Sequence, residues 1–162
     1  MAQTDVYTSI VRSPQSAIVR PGVPVLPCAC ANLRRAARAV TRLYNKALKP
    51  DGIEITQFTL LMALDLTGET TQGTLAELLA LDSTTLTRML SLTKKRRWIH
   101  IRQGADRRHR LLSLTTAGRD RLKQSMPRWA QAQKDLQAAV GHDAFARLGG
   151  VLAEFAAVSR AM

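Results

Sequence analysis
The sequence predicts a mainly α fold with a small β-hairpin wing, and three observations lead there. Apolar residues recur at three- and four-residue steps over most of residues 27–162, the mark of helices with one buried face. Two short helical stretches, Thr74–Leu79 and the one opening at Asp82, are separated only by Ala80-Leu81. Two strand-like runs then follow, Trp98-Ile99-His100-Ile101 and Leu111-Leu112-Ser113-Leu114, around a turn carrying Gly104 and Asp106 with Arg102, Arg107, Arg108 and Arg110. Two helices across a tight turn, then a basic hairpin, are the layout of a winged helix-turn-helix. Here it is flanked by N- and C-terminal helices suited to dimerisation.

Residues 1–26 hold no sustained period and carry Pro14, Pro21, Gly22 and Pro24, which reads as a flexible arm. Residues 27–162 read as one domain, with 56–115 the winged-helix part and 27–55 and 116–162 the dimerisation helices. The first helix is expected from Pro27, a residue that suits a first turn, to Lys49, before Pro50-Asp51-Gly52. Its stripe is Leu33, Ala36, Ala37, Val40, Leu43, Tyr44, Ala47 and Leu48. Thr56–Leu66 is a second helix with Phe58, Leu61 and Met62 inward, and Gly68–Gly73 reads as a polar turn. Thr74-Leu75-Ala76-Glu77 has the spacing of a capping box opening the third helix.

Asp82 is the expected N-cap of the fourth helix, because its carboxylate can accept from the free N–H groups of the first turn. Leu86, Met89, Leu90 and Thr93 make the buried stripe. The opposite face carries Ser83, Thr84, Thr85, Thr87, Arg88 and Ser91, short donors and one arginine that suit the groove of a duplex. Beyond the hairpin, Thr116 to about Val140 is a long helix with Pro127 a point of disturbance, and Gly141 breaks it. Asp143–Ala161 is the last, with Phe145, Leu148, Val151, Leu152 and Phe155 at helical spacing. These end helices carry more apolar surface than one winged domain covers, so an isologous homodimer is expected.

Charge is concentrated. The 162 residues carry a net charge of +12, and residues 80–123 hold twelve basic against three acidic side chains. Residues 56–79 hold three acidic side chains and no basic one. A solvated face would mix the signs, whereas a cationic block points to a polyanion such as nucleic acid. No apolar run approaches the roughly 18–20 residues of a membrane span, and no signal-peptide pattern opens the chain, so a cytoplasmic protein without a membrane partner is expected. Cys28 and Cys30 make no disulfide framework and, without neighbouring ligands, no metal site. His100, His109 and His142 lack ligand spacing. No nucleotide loop or nucleophile–base set is evident, so neither enzymatic activity nor a cofactor is expected.

Gln57-Phe58, Thr74-Leu75-Ala76-Glu77-Leu78, Ser83-Thr84-Thr85-Leu86-Thr87-Arg88, and Asp106-Arg107-Arg108 followed by Leu114-Thr115-Thr116-Ala117-Gly118 occur in one order. As an ordered set they resemble the MarR family of bacterial winged-helix regulators, from about Cys28 to the end. The resemblance implies a homodimer with interlocking terminal helices, bound to a palindromic double-stranded DNA operator. It implies repression relieved by a small molecule or an oxidant. Ser83, Thr84, Thr85 and Arg88 would then reach bases or phosphates, Arg107 would contact phosphate, and Arg108 would enter a minor groove, held by Asp106. Glu54 departs from the usual Thr ahead of the second helix.

The resemblance also implies an effector pocket between the first, second and fifth helices, typically for phenolic or other aromatic acids. Arg34, Arg38 or Arg42 would meet the carboxylate. Cys30 falls where a peroxide-sensing branch of the family carries its reactive thiol, and Tyr44 matches a supporting tyrosine. The two other supporting tyrosines fall at Arg34 and Ile55 and are missing. A helix N-terminus favours thiolate at Cys28 and Cys30. A peroxide-responsive regulator using Cys30 is therefore the alternative reading, and a thiol-dependent peroxidase a more remote one.

Overall fold
The computed structural model describes residues 26–104 and 110–161, without the side chains of 159–161. The arm before Leu26 and the hairpin tip with Asp106, Arg107, Arg108 and His109 lie outside the described residues. The chain divides into two compact units between Arg42 and Leu43, within the first helix, α1 (Ala29–Leu48). In the first unit α1 starts two residues later than Pro27 suggests. Asn32 is the reason: its side chain accepts from the Leu26 N–H at 3.1 Å and donates to the Leu26 carbonyl at 2.7 Å. Those two bonds hold the entering chain out of the helix. The Asn32 N–H then donates to Cys28 O, which makes Cys28 the flanking residue and puts Cys30 in the first turn.

The second unit opens with the end of α1 and a 3-10 turn, Lys49–Asp51, closed by Gly52 at φ 66°. Helix α2 (Ile55–Thr67) follows. Glu54, despite not being Thr, forms a capping box with Gln57, whose side-chain oxygen accepts from the Glu54 N–H at 3.2 Å. The expected capping box at Thr74–Glu77 is not where a helix begins. Helix α3 (Gln72–Leu79) starts two residues earlier because Thr71 caps it, its hydroxyl accepting from the Thr74 N–H at 3.1 Å. Thr71 itself ends a two-residue strand, β1 (Thr70–Thr71), in the stretch that reads as a turn. Ala80, at φ 50°, ends α3 and makes the turn into α4 (Ser83–Lys95).

The hairpin is β2 (Ile99–Gln103) and β3 (Arg110–Leu114), each longer toward the tip than the apolar runs indicate. The antiparallel sheet has the order β1-β3-β2, with Thr70 opposite Leu112, Ile99 opposite Leu114 and Ile101 opposite Leu112. The period of two therefore turns Ile99, Ile101, Leu112 and Leu114 to the core and leaves His100 and Arg102 outside. Helix α5 (Thr116–Val140) continues through Pro127, and α6 (His142–Ala161) follows Gly141. Phe58, Leu61, Leu75, Leu86, Leu112 and Leu122 form the centre of the core, with Phe58 stacked on Trp129 at 5.6 Å.

Thr115 joins three of these elements. Its hydroxyl donates to Arg97 O at 2.7 Å and accepts from the Gly118 N–H at 2.9 Å, and its own N–H donates to Trp98 O at 3.0 Å. The end of the hairpin, the turn after α4 and the start of α5 are thus held at one residue. Thr115→Ala removes an N-cap and should lower unfolding stability by about 0.5–2 kcal/mol in urea titration. Thr115→Ser, which keeps the hydroxyl, should retain most of it.

Candidate nucleic-acid interface
The expected cap of α4 is present. Asp82 Oδ1 accepts from the Thr85 N–H at 2.8 Å and Oδ2 from the Thr85 hydroxyl at 2.7 Å. Those bonds, the Thr85 hydroxyl foremost, lower the Asp82 pKa from its ordinary carboxylate value. A depressed folded-state pKa adds stability above the unfolded-state value, and that stability is lost as pH falls through the folded one. The difference in melting temperature between wild type and Asp82→Ala should accordingly shrink on acidification below the usual carboxylate range. A difference that widened in acid would contradict the cap.

Leu86, Leu90 and Thr93 are buried along α4, and Met89 packs against the core from a half-buried position. Ser83, Thr84, Thr85, Thr87, Arg88 and Ser91 are all exposed on the other side. The sequence-derived reading face is therefore one surface. Its members differ in availability. Thr85 spends its hydroxyl proton on Asp82, and Thr87 spends its own on the Ser83 carbonyl at 2.7 Å. Arg88 makes no ion pair with a described residue.

The cations around the helix also sort by partner. Arg102, which the sequence groups with the hairpin arginines, forms a two-pronged pair with Glu69: Nε to Oε2 at 2.7 Å and Nη2 to Oε1 at 2.5 Å. The pair lowers the Glu69 pKa and raises that of Arg102. It ties the loop before β1 to β2 and takes one arginine out of the surplus. Arg96 and Arg121 lie over the ring of buried Trp98, at 5.7 and 5.5 Å from its centroid. Lys94, Lys95, Arg97 and Arg110 remain exposed, with no ion pair to a described residue.

Between α4 and the hairpin lies an open cleft of about 610 Å³, lined by Gln72, Thr87, Ser91, Lys94, Arg102 and Arg110 among others. Gln72 lines this cleft, and nothing in the sequence singles it out. Placing the start of α3 at Thr74 hides its position as the first residue of that helix. A second cleft, of about 660 Å³, lies among the end of α1, the 3-10 turn and α5, lined by Ala47, Asp51, Gln124, Pro127, Arg128, Gln131, Ala132 and Asp135. All of these belong to the second unit. Its arginine, Arg128, is paired through Nε with Asp51 Oδ1 at 3.0 Å. Arg34, Arg38 and Arg42 are exposed residues of the first unit.

The Cys28 and Cys30 thiols are free and exposed. Tyr44 is buried, its hydroxyl donating to the Gln133 side chain, and burial raises its pKa. Among the described residues no group of His, Cys, Asp and Glu is placed to hold a metal ion, and no helix is long and apolar enough to cross a membrane.

A helix-turn-helix whose second helix presents a polar face beside a basic hairpin defines a winged helix-turn-helix protein. Comparison with known proteins places it further. A sequence model of the MarR family matches residues 51–109. The HTH-type transcriptional regulator YwoH of Bacillus subtilis is 30% identical over 83 residues, which span 51% of this chain and 61% of that relative's length. Among solved structures, the Mycobacterium tuberculosis transcriptional regulator MosR in complex with DNA is 34% identical, with a TM-score of 0.77 over 83% of this chain and 97% of that one. A mutant of Escherichia coli MarR complexed with operator DNA is 26% identical, with a TM-score of 0.71 over 78% and 91%. The chain belongs to the MarR family of transcriptional regulators. The family and the matched relatives are regulators rather than enzymes, which sets the peroxidase alternative aside.

Proposed function
We propose that this chain is a homodimeric, sequence-specific double-stranded DNA-binding regulator that represses from a palindromic operator and is released by a small aromatic or phenolic ligand. The observation that carries the reading is the exposed face of α4, with Arg88 among short hydroxyls and with Lys94, Lys95 and Arg97 at its end making no ion pair with a described residue. Such a face supplies base-edge donors in the middle and phosphate partners at the rim. Ser83 and Thr84 lie at its leading end. By the family resemblance, Arg107 and Arg108, which lie outside the described residues, would extend the contact, with Asp106 holding Arg108. Dimerisation is supported by Leu148, Val151, Leu152 and Val158 of α6, which are 43–59% exposed. A second copy burying them would set two reading heads about one helical turn of DNA apart. Arg34, Arg38 and Arg42, exposed along α1, are available to a ligand carboxylate.

The test is sedimentation of the free protein, then titration onto a palindromic duplex at several salt concentrations. The reading predicts a dimer, and an affinity that falls steeply with salt while still preferring the palindrome over a scrambled duplex. A monomer with no preference would overturn it. A thiol switch is a second reading, favoured by the exposure of both Cys28 and Cys30 at the start of α1. It requires that peroxide weaken operator binding and that Cys30→Ser abolish the response.

A further inference from the structure
Gln72 and Thr87 face each other across the helix-turn-helix. The Gln72 amide donates from Nε2 to Thr87 Oγ1 at 3.1 Å, and the Thr87 hydroxyl donates to Ser83 O at 2.7 Å. The second bond fixes the sense of the first. A hydroxyl has one proton, and Thr87 has given it to the carbonyl, so toward Gln72 it can only accept. The amide nitrogen must therefore point at Thr87. One N–H and Oε1 are left over on the same planar amide, a donor and an acceptor, and among the described residues neither has a partner. Gln72 is half-buried at the first position of α3, and its side chain lines the cleft that also holds Ser91 and Lys94.

We propose that Gln72 is a base-reading residue, oriented by Thr87, whose remaining N–H and Oε1 take adenine in the major groove that α4 enters. Adenine shows an acceptor, N7, beside a donor, N6–H₂, and a glutamine fork matches that pair and no other base edge as well. Thr87 is a positioning residue: with its proton spent, its work is to hold the fork in one orientation. The inference rests on the DNA-binding reading above and adds a position to it.

The test is selection of duplexes from a random-sequence library by the full-length protein and by three variants, followed by affinities on the selected and scrambled duplexes. Wild type should select an adenine at one place in each half-site. Gln72→Ala should lose the preference there and bind the selected duplex about tenfold more weakly, with the rest of the motif and the scrambled affinity unchanged. Gln72→Glu should shift the preference at that place toward cytosine, whose N4 amino group a carboxylate accepts. Thr87→Val should blur the preference without replacing it, a change that a purely structural role for Gln72 would not produce. Equal weakening of Gln72→Ala on both duplexes would make Gln72 a phosphate contact and overturn the proposal, as would an unchanged motif. If wild type selected no motif, the DNA-binding reading would fall, and this proposal with it.

Discussion

Phe58→Ala is expected to lower unfolding stability by about 3–5 kcal/mol. Phe58 is fully buried where α2, the hairpin and α5 meet, and its ring stacks on Trp129 with 24° between the planes. Truncation removes the transfer energy of a phenyl ring and leaves a cavity that three rigid elements cannot collapse into. Domains of this size have total stabilities of only about 5–15 kcal/mol, so a large part of the margin would go. Urea denaturation with an unchanged m-value is the measurement. Leu66→Ala is the control: Leu66 lies on the same helix but is 82% exposed, and its removal should stay within about 0.5 kcal/mol. A Phe58→Ala loss no larger than that control would contradict the placement of the core.

Gly118→Ala should destabilise by about 1–3 kcal/mol or more, although alanine is the better helix former by about 1 kcal/mol. The reason is a close backbone approach. Gly118 is buried in the first turn of α5, and a Cβ there would run into the carbonyl of Trp98. That carbonyl cannot swing away without breaking its bond from the Thr115 N–H, and the Trp98 ring is held beneath Arg96 and Arg121. Gly149 and Gly150, in α6, have nothing within 4 Å of such a Cβ. Gly150→Ala, on the side of α6 that carries Arg147 and Glu154 rather than the apolar seam, should stabilise by roughly the propensity difference. Opposite signs at the two glycines in thermal unfolding test the contact directly, and stabilisation at both would contradict it.

What is legible in the sequence is periodic or local. The stripe of α4, its Asp82 cap, the end of α5 at Gly141 and the hairpin are all written in neighbouring residues. What stays hidden is long-range or set by a competing local bond. Glu69 and Arg102 are 33 residues apart in sequence, and no local pattern joins them. Strand β1 is two residues long, too short to show alternation, and exists because β3 offers an edge. The start of α3 is misplaced from sequence because two threonines compete for the cap: Thr74 has the capping-box spacing, but Thr71 bonds the Thr74 N–H itself. That shift conceals Gln72. The reading face is legible as a set of residue types, whereas which hydroxyls are already engaged, at Thr85 and Thr87, requires geometry.

If α4 reads sequence, Arg88 is the residue that shows it most directly. Arg88 stands on the exposed face beside Thr84 and Thr85 and makes no ion pair with a described residue, so its guanidinium is available to a guanine edge. The deciding measurement is the affinity of Arg88→Ala, relative to wild type, on the selected duplex and on a scrambled duplex of equal length at matched salt. The account predicts a loss of about 1–3 kcal/mol on the selected duplex and a clearly smaller one on the scrambled duplex. Equal losses on the two would mean that Arg88 touches only phosphate, and that the helix beginning at Ser83 is not the reader.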